Sequence, residues 1–430
     1  MNSSPKYMPG SQRKWVFILC LCLIGCFTLM GTGFAAKGSG SIAEDEEIVV
    51  SPAVTGQTLT RSPAGSALDT PALAVSLEVN AASAVLMDAV TGRILLEKEP
   101  HVALPPASVT KLMTLLVAAE AVEKGRVSLE DMVTTSPEAS SMGGSQVYLE
   151  VGEQMSLKDM LLAVAVGSGN DASVAVAEHI GGSEGDFVDE MNKRAAELEM
   201  KNTHFENSHG LSSESHYTSA YDLAVLGRES LRHPLLLELT STKEHKLRNG
   251  AFQLYNTNRM LWWYQGTDGF KTGSTEEAKR CLASTVQREG MRLICVVMGA
   301  PESQGHFRES MKIYNYGFAK YIYKPFVPAD ESLGQAAISK GAQETVALVP
   351  EKEVGACFEK GQEEDYRYES TFERNVGAPV VKGQVLGQVT LYCNDEEISR
   401  TNLVASQEVP KLTLPGMIQR TLDKVYSLDK

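Results

Sequence analysis

The chain has 430 residues, of which 43% are apolar and 22% are charged, and its formal net charge is −14. At roughly 150 residues per domain, this length allows two or three domains, and the composition is that of a globular protein rather than a disordered chain or one with many membrane spans. The acidic balance argues against nucleic acid as a partner, because phosphate recognition needs a dense basic surface.

The first 35 residues predict a targeting segment. Three basic residues and no acidic one occur there, and Trp15 begins a run of 22 residues without a charge. This pattern is typical of a secretory signal peptide, so the chain is expected to work outside the cytoplasm, with a charge of −17 once residues 1–35 are removed. Cleavage after Ala35 is favoured. Lipid attachment at Cys26 and retention as an anchor stay open, since about 20 apolar residues can span a bilayer.

Residues 36–75 are expected to form a disordered tether. They contain no aromatic residue, carry an acidic run at residues 44–47 and are rich in Ser, Thr, Ala, Pro and Gly. A segment of this composition cannot bury enough apolar surface to offset the entropy lost on ordering.

Residues 76–326 predict one domain that mixes helices and strands. Two alternating apolar runs, at residues 84–87 and 93–96, predict a β-hairpin. Apolar spacing further along predicts helices within residues 111–122, 157–166, 172–180 and 221–231, and strands within residues 269–273, 282–287 and 292–299. Strands at both ends with helices between them favour one sheet assembled from distant parts of the chain, with a helical region inserted.

The C-terminal quarter has a different pattern. Short alternating runs cut by Gly and Pro predict a small all-β domain over residues 327–409. Residues 410–430 predict an amphipathic helix, with a local charge of +2. Such a helix suits an anionic lipid surface, so the tail is expected to associate with a membrane; docking on the all-β domain is the alternative.

Seven cysteines occur, and three of them lie in the targeting segment. The other four, Cys281, Cys295, Cys357 and Cys393, are expected to be free, buried thiols, because a tight turn between the last two predicted strands would place Cys295 opposite Ser284. No Cys-x-x-Cys pair and no His-Glu-x-x-His helix occurs, so neither a metal nor another cofactor is expected.

The first candidate for chemistry is Ser108-Val109-Thr110-Lys111, which opens an apolar helix. The three-residue spacing places Ser108 and Lys111 on one helix face. A lysine desolvated among leucines can lose its proton and act as the base for a serine hydroxyl. The Ser108 N–H would also lie at a helix N-terminus, where a developing oxyanion is favoured. A helix cap with a lysine reaching to solvent is the alternative, because Ser-x-x-Lys also occurs at three other places in the chain.

Two more polar motifs interrupt apolar stretches. Ser168-Gly169-Asn170 lies between two predicted helices, where a polar triplet is costly unless it lines a cavity or finds partners. Lys271-Thr272-Gly273, followed by Ser274, begins a predicted strand with a cation, a hydroxyl and a glycine that lets a ligand backbone approach. Taken singly, a turn between two helices explains Ser168-Gly169-Asn170 as well, and the start of a hairpin explains Lys271-Thr272-Gly273 as well.

In this order and spacing, the three motifs resemble Ser-x-x-Lys, Ser-x-Asn and Lys-Thr-Gly of the penicillin-binding, active-site-serine DD-peptidases. More closely, the sequence resembles the low-molecular-mass D-alanyl-D-alanine carboxypeptidases, over about residues 76–410. The likeness extends to the segments 142–146, 207–211 and 216–220. It implies an α+β catalytic domain like that of serine β-lactamases and DD-peptidases, with an antiparallel sheet flanked by helices and a helical insertion. A β-rich accessory domain would follow.

The resemblance implies roles for the residues of the first two motifs. Ser108 would be the nucleophile, acylated by a terminal D-alanyl-D-alanine, and Lys111 its base. Ser168 would relay a proton to the leaving D-alanine. Asn170 would hold the peptide amide and orient Lys111.

The third motif would bind the substrate. Lys271 and Thr272 would hold the terminal carboxylate, next to Gly273, and the backbone N–H of Ser274 would complete the oxyanion hole. One departure is that the motif continues with a small serine, so the contribution of a bulkier residue at position 274 is in doubt. Arg259 is a weaker candidate for carboxylate binding, with a surface role as the alternative.

The partners implied are peptidoglycan stem peptides, with β-lactams as covalent inhibitors, at the outer face of the bacterial cytoplasmic membrane or in the cell wall space. A DD-endopeptidase that cuts crosslinks and a non-catalytic wall-binding scaffold stay open as alternatives. A β-lactamase is disfavoured, because residues 201–207 do not match the Glu-x-x-Leu-Asn segment of the penicillinases that resemble this fold.

Overall fold

A computed structural model describes residues 53–58, 77–361, 366–416, 418 and 420. The predicted signal segment and most of the predicted tether lie outside these residues. Within the described part of the chain, no helix is long and apolar enough to cross a bilayer.

Strands and helices make up most of the described residues. In chain order the strands are β1 (Ala53–Thr58), β2 (Ser83–Asp88), β3 (Ile94–Lys98), β4 (Met132–Thr134), β5 (Gln154–Ser156), β6 (Glu244–Leu247), β7 (Phe252–Tyr255), β8 (Thr267–Thr275), β9 (Lys279–Arg288), β10 (Met291–Ala300), β11 (Tyr321–Val327), β12 (Gly334–Ser339), β13 (Thr345–Pro350), β14 (Val354–Glu359), β15 (Tyr366–Phe372), β16 (Asn375–Gly377), β17 (Val385–Cys393) and β18 (Glu396–Ala405). The helices are α1 (Lys111–Glu123), α2 (Pro137–Ser141), α3 (Leu157–Leu162), α4 (Asn170–Gly181), α5 (Glu184–Glu197), α6 (Ala220–Ser230), α7 (Pro234–Ser241), α8 (Met260–Trp263) and α9 (Gly305–Lys320).

One antiparallel sheet, in the order β3-β2-β10-β9-β8, organises the larger domain. β2 and β3 form the predicted hairpin, and β2 pairs with β10 from the other end of the domain. The prediction of one sheet built from distant parts of the chain is therefore confirmed. Among the described residues, strand β8 lies at the edge of this sheet and pairs with β9 alone, so no strand covers its other edge.

The sheet has an apolar core on each face. Leu293, Cys295 and Val297 of β10 pack with α9, whereas the alternate residues of β10 pack with the inserted helices. This follows from the period of two along a strand. Cys295 pairs with Ser284 as predicted, and the four cysteines outside the targeting segment are buried thiols that form no disulfide within the described residues.

The helical insertion lies between β3 and β8, and its predicted helices are present as α1, α3, α4 and α6. Eleven of the 13 residues of α1 are buried, so it forms the centre of the insertion. The helix predicted over residues 157–166 departs from expectation, because α3 ends at Leu162 and a π-helical turn (Ala163–Gly167) follows.

A seven-stranded sheet, β1-β15-β17-β18-β13-β12-β16, and the pair β11–β14 form the β-rich domain around its own apolar core. The predicted all-β texture is confirmed. The tether prediction is wrong for Ala53–Thr58, because these residues form β1, antiparallel to β15. Backbone groups at the open edge of β15 can pair with almost any extended segment, and composition does not reveal such pairing.

The two domains are joined without a linker, since α9 ends at Lys320 and β11 begins at Tyr321. The Tyr321 hydroxyl donates to the Leu95 carbonyl oxygen of the larger domain at 3.2 Å. The predicted boundary between residues 326 and 327 falls near the end of β11 and stays a prediction. Most of the predicted tail helix lies outside the described residues, although residues 414–416, 418 and 420 are helical.

Candidate active site

The turn that carries Ser108 is held in a strained shape. Ala107, directly before it, has a φ of 49°, in the left-handed region that residues with a side chain rarely adopt. Gly210 packs so closely that a Cβ there would lie 1.9 Å from the Ala107 carbonyl oxygen. The Thr110 hydroxyl donates to the same carbonyl oxygen at 2.8 Å. These contacts present Ser108, only half-buried, in a 3-10 turn (Ala107–Thr110) at the start of α1.

Lys111 lies beside this hydroxyl and is completely buried. Its Nζ is 3.0 Å from Ser108 Oγ, 2.6 Å from Asn170 Oδ1 and 2.6 Å from the His209 carbonyl oxygen. Burial lowers the pKa of Lys111 well below its usual value, and the positive charge of Lys271 lowers it further.

A neutral amine suits this environment. Asn170 Oδ1 and the His209 carbonyl can only accept, so they take the two N–H groups of a neutral lysine and leave its lone pair for the Ser108 hydroxyl. The Asn170 amide is oriented by its Nδ2, which donates to the Gly143 carbonyl oxygen at 2.7 Å. Lys111 is thereby placed to accept the Ser108 proton.

The Ser168-Gly169-Asn170 motif connects the π-helical turn to α4. Ser168 has a φ of 60°, which ends the helical run and turns the chain. Asp171, directly after the motif, accepts the Val147 N–H through both carboxylate oxygens at 3.1 and 3.0 Å. The buried polar residues of this segment thus find partners, as the apolar surroundings require.

Lys271 enters the site from β8. Its Nζ donates to Ser168 Oγ at 2.9 Å, and burial lowers its pKa to about 7. The Thr272 hydroxyl donates to Thr257 Oγ1 at 2.7 Å, and Lys271 Nζ is 3.5 Å from the same oxygen. The Lys271 amine and the hydroxyls of Thr257 and Thr272 therefore meet beside Ser168. This arrangement suits an anion.

Gly273 lets β8 approach the turn that carries Ser108. A Cβ at this position would lie 2.6 Å from the Pro106 carbonyl oxygen and 3.0 Å from the Ser108 nitrogen. Only glycine permits this approach, which brings the following Ser274 backbone next to Ser108.

Two buried histidines lie next to residues 108–111. Burial lowers the pKa of His209 to about 3 and that of His216 to about 4, so both are neutral near pH 7. His216 Nδ1 accepts the Glu206 N–H at 3.0 Å, which places its proton on Nε2, 2.8 Å from the Thr110 hydroxyl.

One cluster has metal-ligand residue types. Glu120, Glu229 and His233 place three donor atoms within 4.8 Å of one another. Arg194 donates to Glu120 at 2.7 Å and to Glu229 at 2.6 Å, so a guanidinium already neutralises the acids. The cluster is an ion-pair network between helices.

Sequence reasoning missed Thr257 and the carbonyl groups of Gly143 and His209. Thr257 lies two residues before Arg259, the residue that drew attention in that segment. Arg259 is exposed, with its guanidinium 5.6 Å from the Trp262 ring, and its role in carboxylate binding stays a prediction. Carbonyl groups carry no sequence signal, because every residue has one.

The site combines a serine hydroxyl, a buried amine beside it, and a cation with hydrogen-bond donors that suit an anionic substrate. This combination defines an active-site-serine hydrolase that works through an acyl-enzyme. The model of the family described as D-alanyl-D-alanine carboxypeptidase matches residues 69–302, and that of the penicillin-binding protein 5 C-terminal domain matches residues 321–411. The chain belongs to this D-alanyl-D-alanine carboxypeptidase family, whose members are serine-type hydrolases and penicillin-binding proteins.

Known relatives agree with this assignment. The chain is 40% identical to D-alanyl-D-alanine carboxypeptidase DacF of Bacillus subtilis, over 80% of this chain and 89% of the relative. It is 34% identical to D-alanyl-D-alanine carboxypeptidase DacD of Escherichia coli, over 77% and 87% of the two chains. The crystal structure of penicillin-binding protein 5 from Haemophilus influenzae is similar with a TM-score of 0.62 at 33% identity, covering 78% of this chain and 99% of that one.

Proposed function

We propose that Ser108 removes the terminal D-alanine from peptidoglycan pentapeptide stems through an acyl-enzyme, with Lys111 as the base. The observation that carries the proposal is the surroundings of the Lys111 amine. Two obligate acceptors take its N–H groups, and Ser108 Oγ lies 3.0 Å away on the remaining side. Membership of the carboxypeptidase family supports the substrate class.

Acylation begins when Lys111 takes the Ser108 proton and Oγ attacks the carbonyl carbon of the penultimate D-alanine. The backbone N–H groups of Ser108 and Ser274 hold the oxyanion, and each such donor contributes about 10²–10³-fold. The C–N bond then breaks, and Ser168 relays the proton that Lys111 took from Ser108 to the amine of the departing D-alanine, so that Lys111 is neutral again. Water hydrolyses the ester, which restores the Ser108 hydroxyl and releases the shortened stem.

Substrate recognition in this proposal depends on the free carboxyl terminus. Lys271 and Thr272 hold the terminal carboxylate, and Asn170 holds the peptide amide while it orients Lys111. The cluster of the Lys271 amine with the Thr257 and Thr272 hydroxyls, beside Ser168, supports this assignment.

A pentapeptide stem, the same peptide amidated at its terminal D-alanine and a crosslinked dimer test this function together. We expect the free pentapeptide to lose one D-alanine, measured by mass, and the amide to turn over about 10- to 100-fold more slowly, because it cannot form a charge-assisted pair. The dimer is expected to stay intact. Equal turnover of free and amidated peptides, or cleavage of the dimer, would favour the endopeptidase alternative.

The site of action is proposed to be the outer face of the cytoplasmic membrane, with residues 410–430 on the lipid surface. Leu414 and Ile418 leave 75% and 62% of their surface exposed. Arg420 donates to the Ala342 carbonyl oxygen at 2.8 Å, so the start of the tail also touches the β-rich domain. Exposed apolar side chains in a segment of positive charge support binding to anionic lipid.

Removal of the tail tests this location. Proteins without residues 1–35 that end at Lys430 or at Val409 are compared for co-sedimentation with anionic vesicles. We expect the shorter protein to lose vesicle binding and to keep penicillin labelling, and Ile418→Asp in the longer protein to weaken binding. Equal binding by both lengths would exclude the tail as the anchor.

A further inference from the structure

The small residue after the third motif leaves room for an arginine at the edge of the site. Ser274 on β8 lies opposite Arg280 on β9, and the Arg280 guanidinium donates to the Ser274 hydroxyl through Nη1. Directly opposed residues of an antiparallel pair place their side chains on the same face. Arg280 therefore reaches from β9 to the edge strand β8, which carries the third motif.

This guanidinium lies near the proposed carboxylate pocket. Thr272 and Ser274 are alternate residues of β8, so their side chains share a face, with Cα atoms about 6.6 Å apart. Charge-assisted hydrogen bonds to a carboxylate span about 2.8 Å on either side of the anion. A carboxylate that accepts from Thr272 is thus within reach of a guanidinium held at Ser274.

Arg280 has no counter-ion within the described part of the chain: no Asp or Glu there forms an ion pair with it. Its neighbour on α9 is His306, which is buried, and burial together with the Arg280 charge lowers the pKa of His306 to about 4. The imidazole is therefore neutral near pH 7 and adds no compensating charge. A half-buried, permanently charged guanidinium without a partner favours an external anion.

Lys271, the other cation of the site, is expected to bind an anion more weakly than Arg280. Lys271 has a pKa of about 7, so it carries only a partial charge at neutral pH in the unoccupied site. Lys271 also donates to Ser168, which the proposed mechanism uses for proton transfer. An arginine keeps its charge at every working pH and presents a planar pair of donors that matches a carboxylate.

We infer that Arg280 binds the terminal carboxylate of the stem peptide together with Thr272, and that it is a specificity-determining residue of this enzyme. The same contact would hold the carboxylate of a β-lactam. This inference rests on the proposed function and assigns one part of its substrate recognition to a residue outside the three motifs.

The test compares Arg280→Gln and Arg280→Lys with the unchanged protein, on the free pentapeptide and on its amide. Arg280→Gln is expected to lower kcat/KM for the free peptide about 10- to 100-fold and to change that for the amide less than about 3-fold. Arg280→Lys should retain part of the activity on the free peptide. The matched control is Lys279→Gln, which removes one positive charge from the exposed first residue of β9 and should leave both rates unchanged.

Two outcomes would overturn the inference. If Arg280→Gln lowers both rates equally, the residue acts by supporting β8; if it changes neither, it does not contact the anion. A thermal melt of each variant separates loss of fold from loss of recognition. The proposed function itself fails only if the unchanged protein does not cleave the free pentapeptide, so the two failures are distinguishable.

Discussion

Ser108→Ala is expected to abolish covalent labelling by penicillin and release of D-alanine. The substitution removes the one oxygen that forms the ester, and loss of a nucleophile in a serine hydrolase lowers kcat on the order of 10⁶-fold. The fold should persist, because Lys111 keeps its acceptors on Asn170 and His209. Labelled penicillin with gel detection and a D-alanine release assay measure the two effects.

The matched control for this prediction is Ser141→Ala, since Ser141 is exposed and its hydroxyl donates only locally, to the Glu138 carbonyl oxygen at 2.8 Å. Its labelling should equal that of the unchanged protein. Circular dichroism and thermal melts establish that both variants are folded. A folded Ser108→Ala protein that still labels would show that another residue is the nucleophile.

Substitution of Lys111 is expected to have the second largest effect. Proton transfer by a positioned base contributes about 10²–10⁴-fold, so Lys111→Ala should slow acylation by that factor. Lys111→Arg should be equally slow, because a guanidinium keeps its proton and cannot act as a base. Lys124→Ala, at the exposed end of α1, is the control. Near-normal acylation by Lys111→Arg would mean that Lys111 acts only through its charge.

The pH dependence of acylation checks the same role. The base works in its neutral form. The acylation rate should therefore be low at pH values below the pKa of Lys111 and rise as the pH passes through that pKa. Burial and the Lys271 charge lower that pKa, which moves the rise to lower pH than for an exposed lysine. The pH profile of kcat/KM reports the pKa values of the essential groups in the free enzyme. A rate that is flat between about pH 6 and 10 would contradict the assignment, provided that acylation still depends on Lys111.

Local sequence patterns predicted much of the fold. The hairpin of β2 and β3 followed from alternation, and four helices of the insertion followed from apolar spacing. Both signals are short-range consequences of side-chain direction along a strand or a helix. The π-helical turn at Ala163–Gly167 was missed, because its apolar residues also match the period of an ordinary helix. Strand β1 was missed because its pairing with β15 depends on backbone groups rather than on side-chain types.

The candidate site also divides into residues that local sequence patterns predicted and residues that they did not. Ser108, Lys111, Ser168, Asn170 and Lys271 were chosen from three short motifs. In the structure Lys111 is hydrogen-bonded to Ser108 and Asn170, Lys271 is hydrogen-bonded to Ser168, and the charge of Lys271 acts on Lys111. Thr257 and Arg280 were recognised as neighbours of the third motif only in the structure. Their contacts join positions that are separated in sequence or lie across a strand pair, and such contacts have no local pattern.

By itself, the sequence determined the residue types available for chemistry and the periodicities that place them on strands and helices. Only the tertiary structure decided the state in which Lys111 works, because its pKa depends on burial and on Lys271 from a distant strand. It also decided that Gly273 lets β8 touch the Ser108 turn. Protonation and close approach depend on the surroundings that the whole chain builds, since desolvation and packing are properties of the assembled core rather than of a segment.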